Sequence, residues 1–119
     1  MALPNATERH FTYADYRKWP GDERWELIDG VPYAMAPAPK ISHQILTGQL
    51  FRQIDEALDG TPCRALIAPV DVLLPAANEA DDQATTVVQP DILVVCDPAK
   101  VTENNIRGAP DWIIEVLSP

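Results

Sequence analysis

The sequence predicts an α/β fold of the α+β-like kind, with a mixed sheet, an N-terminal hairpin and one main helix. One stretch, residues 42–58, has the apolar repeat of an amphipathic helix. Several short β-branched runs, bounded by Gly, Pro, Asn and Asp, are typical of strands. The chain of 119 residues is long enough for one domain with its own core.

The N-terminal part predicts a short helix followed by a hairpin. Thr12 is placed to cap a helix that ends at Pro20. Asp29-Gly30 lies between two apolar runs, and this dipeptide favours a type I′ turn because both positions need positive φ. Pro32 has no N–H to donate, so the second strand of the hairpin suits the edge of a sheet.

The main helix is predicted to begin after Ser42 and to end before Gly60. Its apolar stripe recurs every four residues, at Leu46, Leu50, Ile54 and Leu58. A helix of this kind buries one face against a sheet and leaves the opposite face in water.

The C-terminal half predicts three strands. Residues 64–74, broken at Pro69, and residues 87–95 are expected to form a long antiparallel hairpin. Residues 111–117 form an apolar last strand, which favours cover on both faces. Because only one strong helix is visible, we expect residues 1–119 to be a single domain that lacks its final helix and strand.

The charge and the cysteines limit the function classes. A net charge of −9 argues against a general nucleic-acid binder, although carboxylates that hold cations are compatible with a nuclease. The sequence has no apolar run of membrane-spanning length and no signal-peptide pattern, so we expect a cytoplasmic protein without membrane contact. Cys63 and Cys96 lack zinc-site spacing and are predicted to be reduced, buried thiols.

Two carboxylates interrupt the apolar strands. Asp91 opens one strand and Glu115 lies within the next, where a buried charge is costly unless it is paired or binds a cation. Taken singly, Asp91 is equally compatible with an Asx turn and Glu115 with a solvent-facing position. Taken together, they favour a shared site for a divalent metal ion.

Five ordered motifs resemble the PD-(D/E)XK nuclease superfamily, and within it the Uma-type family of restriction-endonuclease-like proteins. The motifs are Trp25-Glu26-Leu27-Ile28-Asp29-Gly30, Pro37-Ala38-Pro39 with His43-Gln44, Pro69-Val70-Asp71-Val72, Gln89-Pro90-Asp91-Ile92-Leu93-Val94-Val95, and Gly108-Ala109-Pro110-Asp111 leading into Ile114-Glu115-Val116-Leu117-Ser118-Pro119. The resemblance implies a restriction-endonuclease-like core and hydrolysis of DNA phosphodiester bonds with Mg²⁺ or Mn²⁺.

The resemblance also implies roles for individual residues. Asp91 and Glu115 match the metal ligands, and the backbone carbonyl of Val116 matches a further ligand. The superfamily signature places a Lys two residues after the acidic one, and Leu117 stands there instead. In the Uma-type branch the Lys comes from a following helix, so we expect this 119-residue form to be inactive or nearly so.

Three further residues have open alternatives. Glu26 matches a third carboxylate of the superfamily, or it is an exposed hairpin charge. His43 is a candidate for contact with phosphate, Glu26 or Asp91, or it is a histidine bonded to backbone. Asp71 either points into the same region or, since it alternates with apolar neighbours, faces solvent, and we expect solvent.

The sequence leaves three function classes. The first is a Mg²⁺-dependent DNA endonuclease of unknown specificity. The second is a non-catalytic binding or assembly module with the same fold, which the acidic charge and Leu117 favour. The third is a metal-dependent hydrolase of another substrate. Because an uncovered last strand exposes apolar surface, we also expect a homodimer.

Overall fold

A computed structural model describes residues 10–36 and 38–117. Pro37, Ser118 and Pro119, which belong to the motifs above, lie outside the described residues. The elements in chain order are α1 (Tyr13–Tyr16), β1 (Trp25–Ile28), β2 (Val31–Ala34), α2 (Ile41–Ala57), β3 (Arg64–Ile67), β4 (Val72–Leu73), β5 (Val87–Val88), β6 (Ile92–Val95), β7 (Ile106–Arg107) and β8 (Trp112–Ile114). None of the described helices is long and apolar enough to span a bilayer.

The strands form two sheets. One has five strands in the order β2-β1-β5-β4-β7, and the other has three in the order β3-β6-β8. β4 and β7 run parallel, whereas the other paired strands run antiparallel. This mixed architecture with one main helix confirms the predicted fold class and is consistent with a restriction-endonuclease-like core.

The N-terminal hairpin agrees with its prediction. Asp29 and Gly30 have φ values of 49° and 80°, as a type I′ turn requires. A Cβ at Gly30 would come within 2.6 Å of the His10 ring, so glycine is needed there for space as well as conformation. Pro32 lies on β2 at the edge of the five-stranded sheet, which confirms the edge prediction.

The long hairpin is confirmed, and it divides between the two sheets. β4 pairs with β5 in the larger sheet, and β3 pairs with β6 in the smaller one. The first strand breaks at the cis Ala68–Pro69 bond, and the second breaks before the buried Pro90. Because neither proline donates a ladder hydrogen bond, both strands change sheet at the prolines.

Two boundaries differ from the prediction. α2 begins at Ile41 with Lys40 as its N-cap, so it starts before Ser42. The last strand is shorter than predicted, because pairing with β6 covers only Trp112 to Ile114. β7 lies between the predicted strands 87–95 and 111–117, and it was missed because two residues are too few to show a strand period.

The core lies between these elements in two clusters. The first contains Phe11, Leu27, Leu73 and Val87, with Tyr13, Tyr16 and Trp19 packed against it. The second contains Val72, Leu93, Val95 and Ile106. β6 is the central strand of the three-stranded sheet, and it is buried at all four positions.

The cysteine prediction was wrong, because Cys63 and Cys96 form a disulfide. The two residues are separated by 33 positions in sequence. Arg64 pairs with Val95 in the β3–β6 ladder, and the next positions outward are Cys63 and Cys96. The pairing register brings the two thiols together, and sequence spacing alone cannot reveal it.

Candidate functional site

Asp91 and Glu115 lie opposite each other at one end of the β6–β8 ladder. Ile92 pairs with Ile114 in this ladder, so one further step places Asp91 facing Glu115. Asp91 is half-buried after Pro90, and Glu115 is more exposed just after β8. The antiparallel register therefore brings together the two carboxylates that the sequence analysis selected.

The Asp91 carboxylate is held from two sides. Its Oδ2 accepts a 2.8 Å hydrogen bond from the backbone N–H of Val116. The same oxygen lies 3.3 Å from Nε2 of His43, whose side chain is 10% exposed. His43 belongs to the first turn of α2, so the start of this helix packs against the carboxylate. The carbonyl role of Val116 stays a prediction, because the contact with Asp91 uses its N–H.

Glu26 supplies a third carboxylate from β1. It is half-buried, and its Oε2 accepts a 2.8 Å hydrogen bond from the backbone N–H of Gln89. Gln89 lies two positions before Asp91, so this contact fixes the segment that leads into β6. Glu26 is therefore a bonded group beside the site and not a free hairpin charge.

The negative charges of Asp91 and Glu26 act on Glu115. Partial burial raises the pKa of Glu115 above its usual value, and the negative charges of Asp91 and Glu26 raise this pKa further. A bound cation relieves such repulsion, because it favours the ionised form of each carboxylate. The arrangement therefore has the electrostatic character of a cation site.

The donor set fits a small hard cation. Mg²⁺ prefers oxygen ligands, keeps several waters and binds proteins through one or two carboxylates. Asp91 and Glu115 provide such a pair. Over residues 10–36 and 38–117, no three His, Cys, Asp or Glu side chains are arranged as a ready-made metal cluster. A carboxylate pair completed by water is therefore the kind of site that these residues suit.

A cavity of about 400 Å³ opens beside the carboxylates. We call it the acidic cavity, and its polar lining includes Arg24, His43, Gln44, Thr47, Asp91 and Glu115. Leu117, at the position of the signature Lys, also lines it. Of the described residues that line the acidic cavity, only Arg24 is an arginine or a lysine.

The prediction that Asp71 faces solvent was wrong, because its carboxylate is bonded to other side chains. Its Oδ1 accepts 2.8 Å hydrogen bonds from the Tyr16 hydroxyl and from Nε2 of Gln89. The pKa of Tyr16 is raised by burial and then by its bond to Asp71 and the Asp71 charge. The β period alone cannot show this, because it assigns Asp71 to a face of the sheet without showing what covers that face.

Sequence reasoning missed three residues around the site: Tyr16, Arg24 and Gln89. The side chains of Tyr16 and Gln89 meet across 73 positions of sequence, and those of Arg24 and Gln89 across 65. Gln89 stands directly before Pro90-Asp91, which is the one sequence signal that marks its neighbourhood. Local periodicity carries no information on such contacts.

Comparison with known proteins bears on the resemblance. No curated protein matches the chain. The model of the Uma2 family, described as "Putative restriction endonuclease", matches residues 13–119. The match includes all five motifs and every candidate site residue, and it confirms the predicted Uma-type assignment. The chain therefore belongs to the Uma2 family.

Proposed function

We propose that this protein is a Mg²⁺-dependent endonuclease that hydrolyses DNA phosphodiester bonds, and that Mn²⁺ can replace Mg²⁺. The observation that carries the proposal is the meeting of Asp91 and Glu115 beside one cavity, with the Glu26 charge close enough to raise the pKa of Glu115. Membership of the Uma2 family supports the nuclease class. The sequence specificity is left unassigned.

In this proposal the ion is held by the carboxylates of Asp91 and Glu115 and by the carbonyl of Val116. When bound, it supplies Lewis acidity and positive charge for phosphodiester hydrolysis. His43 orients the Asp91 carboxylate through the 3.3 Å contact. Glu26 fixes the Gln89 backbone and thereby the position of the residues that follow it.

We further propose that cleavage by this 119-residue chain is very slow. Leu117 cannot donate a hydrogen bond or carry a charge at the position where the superfamily signature has Lys. A group that positions water or stabilises phosphate charge is then missing there. Detecting the activity should therefore need a high protein concentration.

Calorimetric titration with Mn²⁺ tests the metal site directly. The parent should bind, and Asp91→Asn and Glu115→Gln should each weaken binding by at least about tenfold, since each removes one anionic ligand. Glu103→Gln, an exposed loop carboxylate outside the acidic cavity, serves as the matched control. A folded parent that binds no Mn²⁺, or equal binding by Asp91→Asn and Glu103→Gln, would contradict the proposed site.

Nicking of supercoiled plasmid DNA tests the reaction. Purified protein with Mn²⁺ should give slow conversion to open-circular DNA, and the Asp91→Asn variant should give none. EDTA should abolish the signal if the chemistry needs the ion. Equal nicking by the parent and by Asp91→Asn would identify a contaminant and leave the chain without nuclease activity.

A non-catalytic binding or assembly module is the second candidate. Leu117 at the Lys position and the net charge of −9 favour it, since neither feature assists phosphodiester cleavage. Metal binding without any nicking of DNA would support this candidate. We also propose that the protein is a homodimer, because apolar side chains on α2 and β8 are exposed.

A further inference from the structure

Arg24 connects the acidic cavity with a second cleft. This residue precedes β1, and it lines both the acidic cavity and a cleft of about 450 Å³. We call the latter the aromatic cleft, since Tyr16, Trp19 and Trp25 line it. Pro69 is also shared by the two linings. A group bound at Arg24 would therefore lie beside the proposed metal site.

The Arg24 guanidinium is held in place by one hydrogen bond. Its Nε donates to Oε1 of Gln89 over 3.0 Å. The amide nitrogen of Gln89 donates to Asp71 Oδ1 at 2.8 Å and to the Tyr16 hydroxyl oxygen at 3.1 Å. Because the Gln89 amide nitrogen is committed to Asp71 and Tyr16, its oxygen must face Arg24. This relay orients a charged side chain that would otherwise have many rotamers.

The terminal nitrogens of Arg24 are left for another partner. Among the described residues, its guanidinium bonds through Nε alone, so the four Nη hydrogens have no acceptor there. Two other arginines differ in this respect. Arg17 in the aromatic cleft pairs with Asp82, and Arg107 pairs with Asp81. Arg24 is thus an oriented cation that lines the same cavity as Asp91 and Glu115, and its terminal N–H donors are unused among the described residues.

We propose that Arg24 binds a phosphate of the DNA backbone at the border of the acidic cavity, and that Gln89, Asp71 and Tyr16 are its positioning residues. The proposal rests on the proposed function. A phosphate entering this cavity meets carboxylates on one side, and a guanidinium can bind two of its oxygens at once. The contact is to the backbone, so it reads no base sequence.

Fluorescence anisotropy with a labelled duplex oligonucleotide tests the assignment. Binding is measured in Ca²⁺, which takes the same oxygen ligands, at several KCl concentrations. Arg24→Met should weaken binding by at least about tenfold. It should also reduce the slope of log K against log salt by about one. Arg24→Lys should keep the slope, because the charge remains, while the affinity falls.

Arg52→Met is the matched control, because Arg52 is exposed on α2 and lines neither cleft. It should leave both affinity and salt slope close to those of the parent. Equal effects of Arg24→Met and Arg52→Met would overturn the proposal and leave the nuclease proposal standing. A parent that binds no oligonucleotide and nicks no plasmid would instead overturn both.

Tyr16→Phe tests the positioning role without removing charge. The variant loses the 2.8 Å bond to Asp71, so binding should weaken about threefold at an unchanged salt slope. In the Arg24→Met background, Tyr16→Phe should cause no further loss, since its effect passes through Arg24. Additive losses in the double variant would show that Tyr16 does not act through Arg24.

Discussion

At the scale of a single residue, the charge of Glu115 favours cation binding but opposes folding. Its pKa is raised by partial burial, by Asp91 and by Glu26, so its ionised form is disfavoured in the folded protein. The stabilising contribution is therefore complete below the ordinary pKa of 4.5 and is lost as pH rises through the folded pKa. At neutral pH, Glu115 works against folding unless a cation is bound.

Glu115→Gln should therefore raise the unfolding temperature of the metal-free protein at pH 7. The gain should be small, about 1 to 4 °C, because the side chain is partly exposed and water screens its charge. Near pH 4 the gain should shrink, since Glu115 is then largely protonated. Differential scanning calorimetry at both pH values measures this, with Glu103→Gln as control. A lower unfolding temperature for Glu115→Gln at pH 7 would contradict the electrostatic argument.

Mn²⁺ should reverse this order. Binding to the folded state alone stabilises the parent by mass action, whereas Glu115→Gln has lost a ligand. Saturating Mn²⁺ should thus raise the unfolding temperature of the parent above that of the variant. Equal shifts in both proteins would show that Glu115 is not a ligand.

The disulfide matters at the scale of elements, because it joins the ends of β3 and β6 that lie away from Asp91. Cross-linking a loop of this length restricts the unfolded chain and stabilises a fold by about 2–4 kcal/mol. The double variant Cys63→Ser/Cys96→Ser should lose about that much free energy of unfolding, measured with urea. Mn²⁺ affinity at low temperature should remain within about twofold, since the bond lies outside the acidic cavity.

Reducing agent provides the control for this prediction. Dithiothreitol should destabilise the parent and leave the double serine variant unchanged, since only the parent has a bond to break. If the urea midpoint of the parent were the same with and without dithiothreitol, the cysteines would not be linked in solution.

Those elements that carry their own local signal could be predicted from the sequence. The Asp29-Gly30 turn needs only two residues, and the predicted break at Pro69 follows from the missing N–H. The sequence does not predict the break at Pro90, because residues 87–95 have the pattern of one strand. The disulfide and β7 have no such signal, because each depends on which strands become neighbours. Contacts between residues far apart in the sequence therefore limit the prediction more than the composition does.

The residues of the candidate site also fall into those with a local sequence signal and those without one. Asp91 and Glu115 stand out because a carboxylate within an apolar strand violates a local rule. Arg24 and Tyr16 violate none, and their roles arise only when Gln89 is brought between them and Asp71. The sequence thus indicated the proposed chemistry, and the structure was needed for the groups that surround it.

At the scale of the whole molecule, exposed apolar side chains predict association. Ile41 and Ile45 on α2 are 74% and 57% exposed, and Trp112 on β8 is 54% exposed. Surface of this kind is typical of contacts between subunits. Multi-angle light scattering should give about twice the chain mass of 13.1 kDa. Ile45→Glu should lower this mass, and Val101→Glu, on the loop before β7, should not.

A mass of one chain at high protein concentration would contradict the dimer. Loss of the dimer in both variants would show that added negative charge, and not the α2 surface, is responsible. Retention in both would place the contact elsewhere.

The two sheets meet at the site, and this has a mechanical consequence. Glu26 belongs to the five-stranded sheet, whereas Asp91 and Glu115 flank strands of the three-stranded one. The proposed ion, held by Asp91 and Glu115, would also attract the Glu26 carboxylate across this boundary, so it should reduce the motion of one sheet relative to the other. Hydrogen exchange should then slow on adding Mn²⁺ in β1 as well as in β8. Slowing of exchange confined to β8 would mean that the ion restrains only the three-stranded sheet and does not act on Glu26.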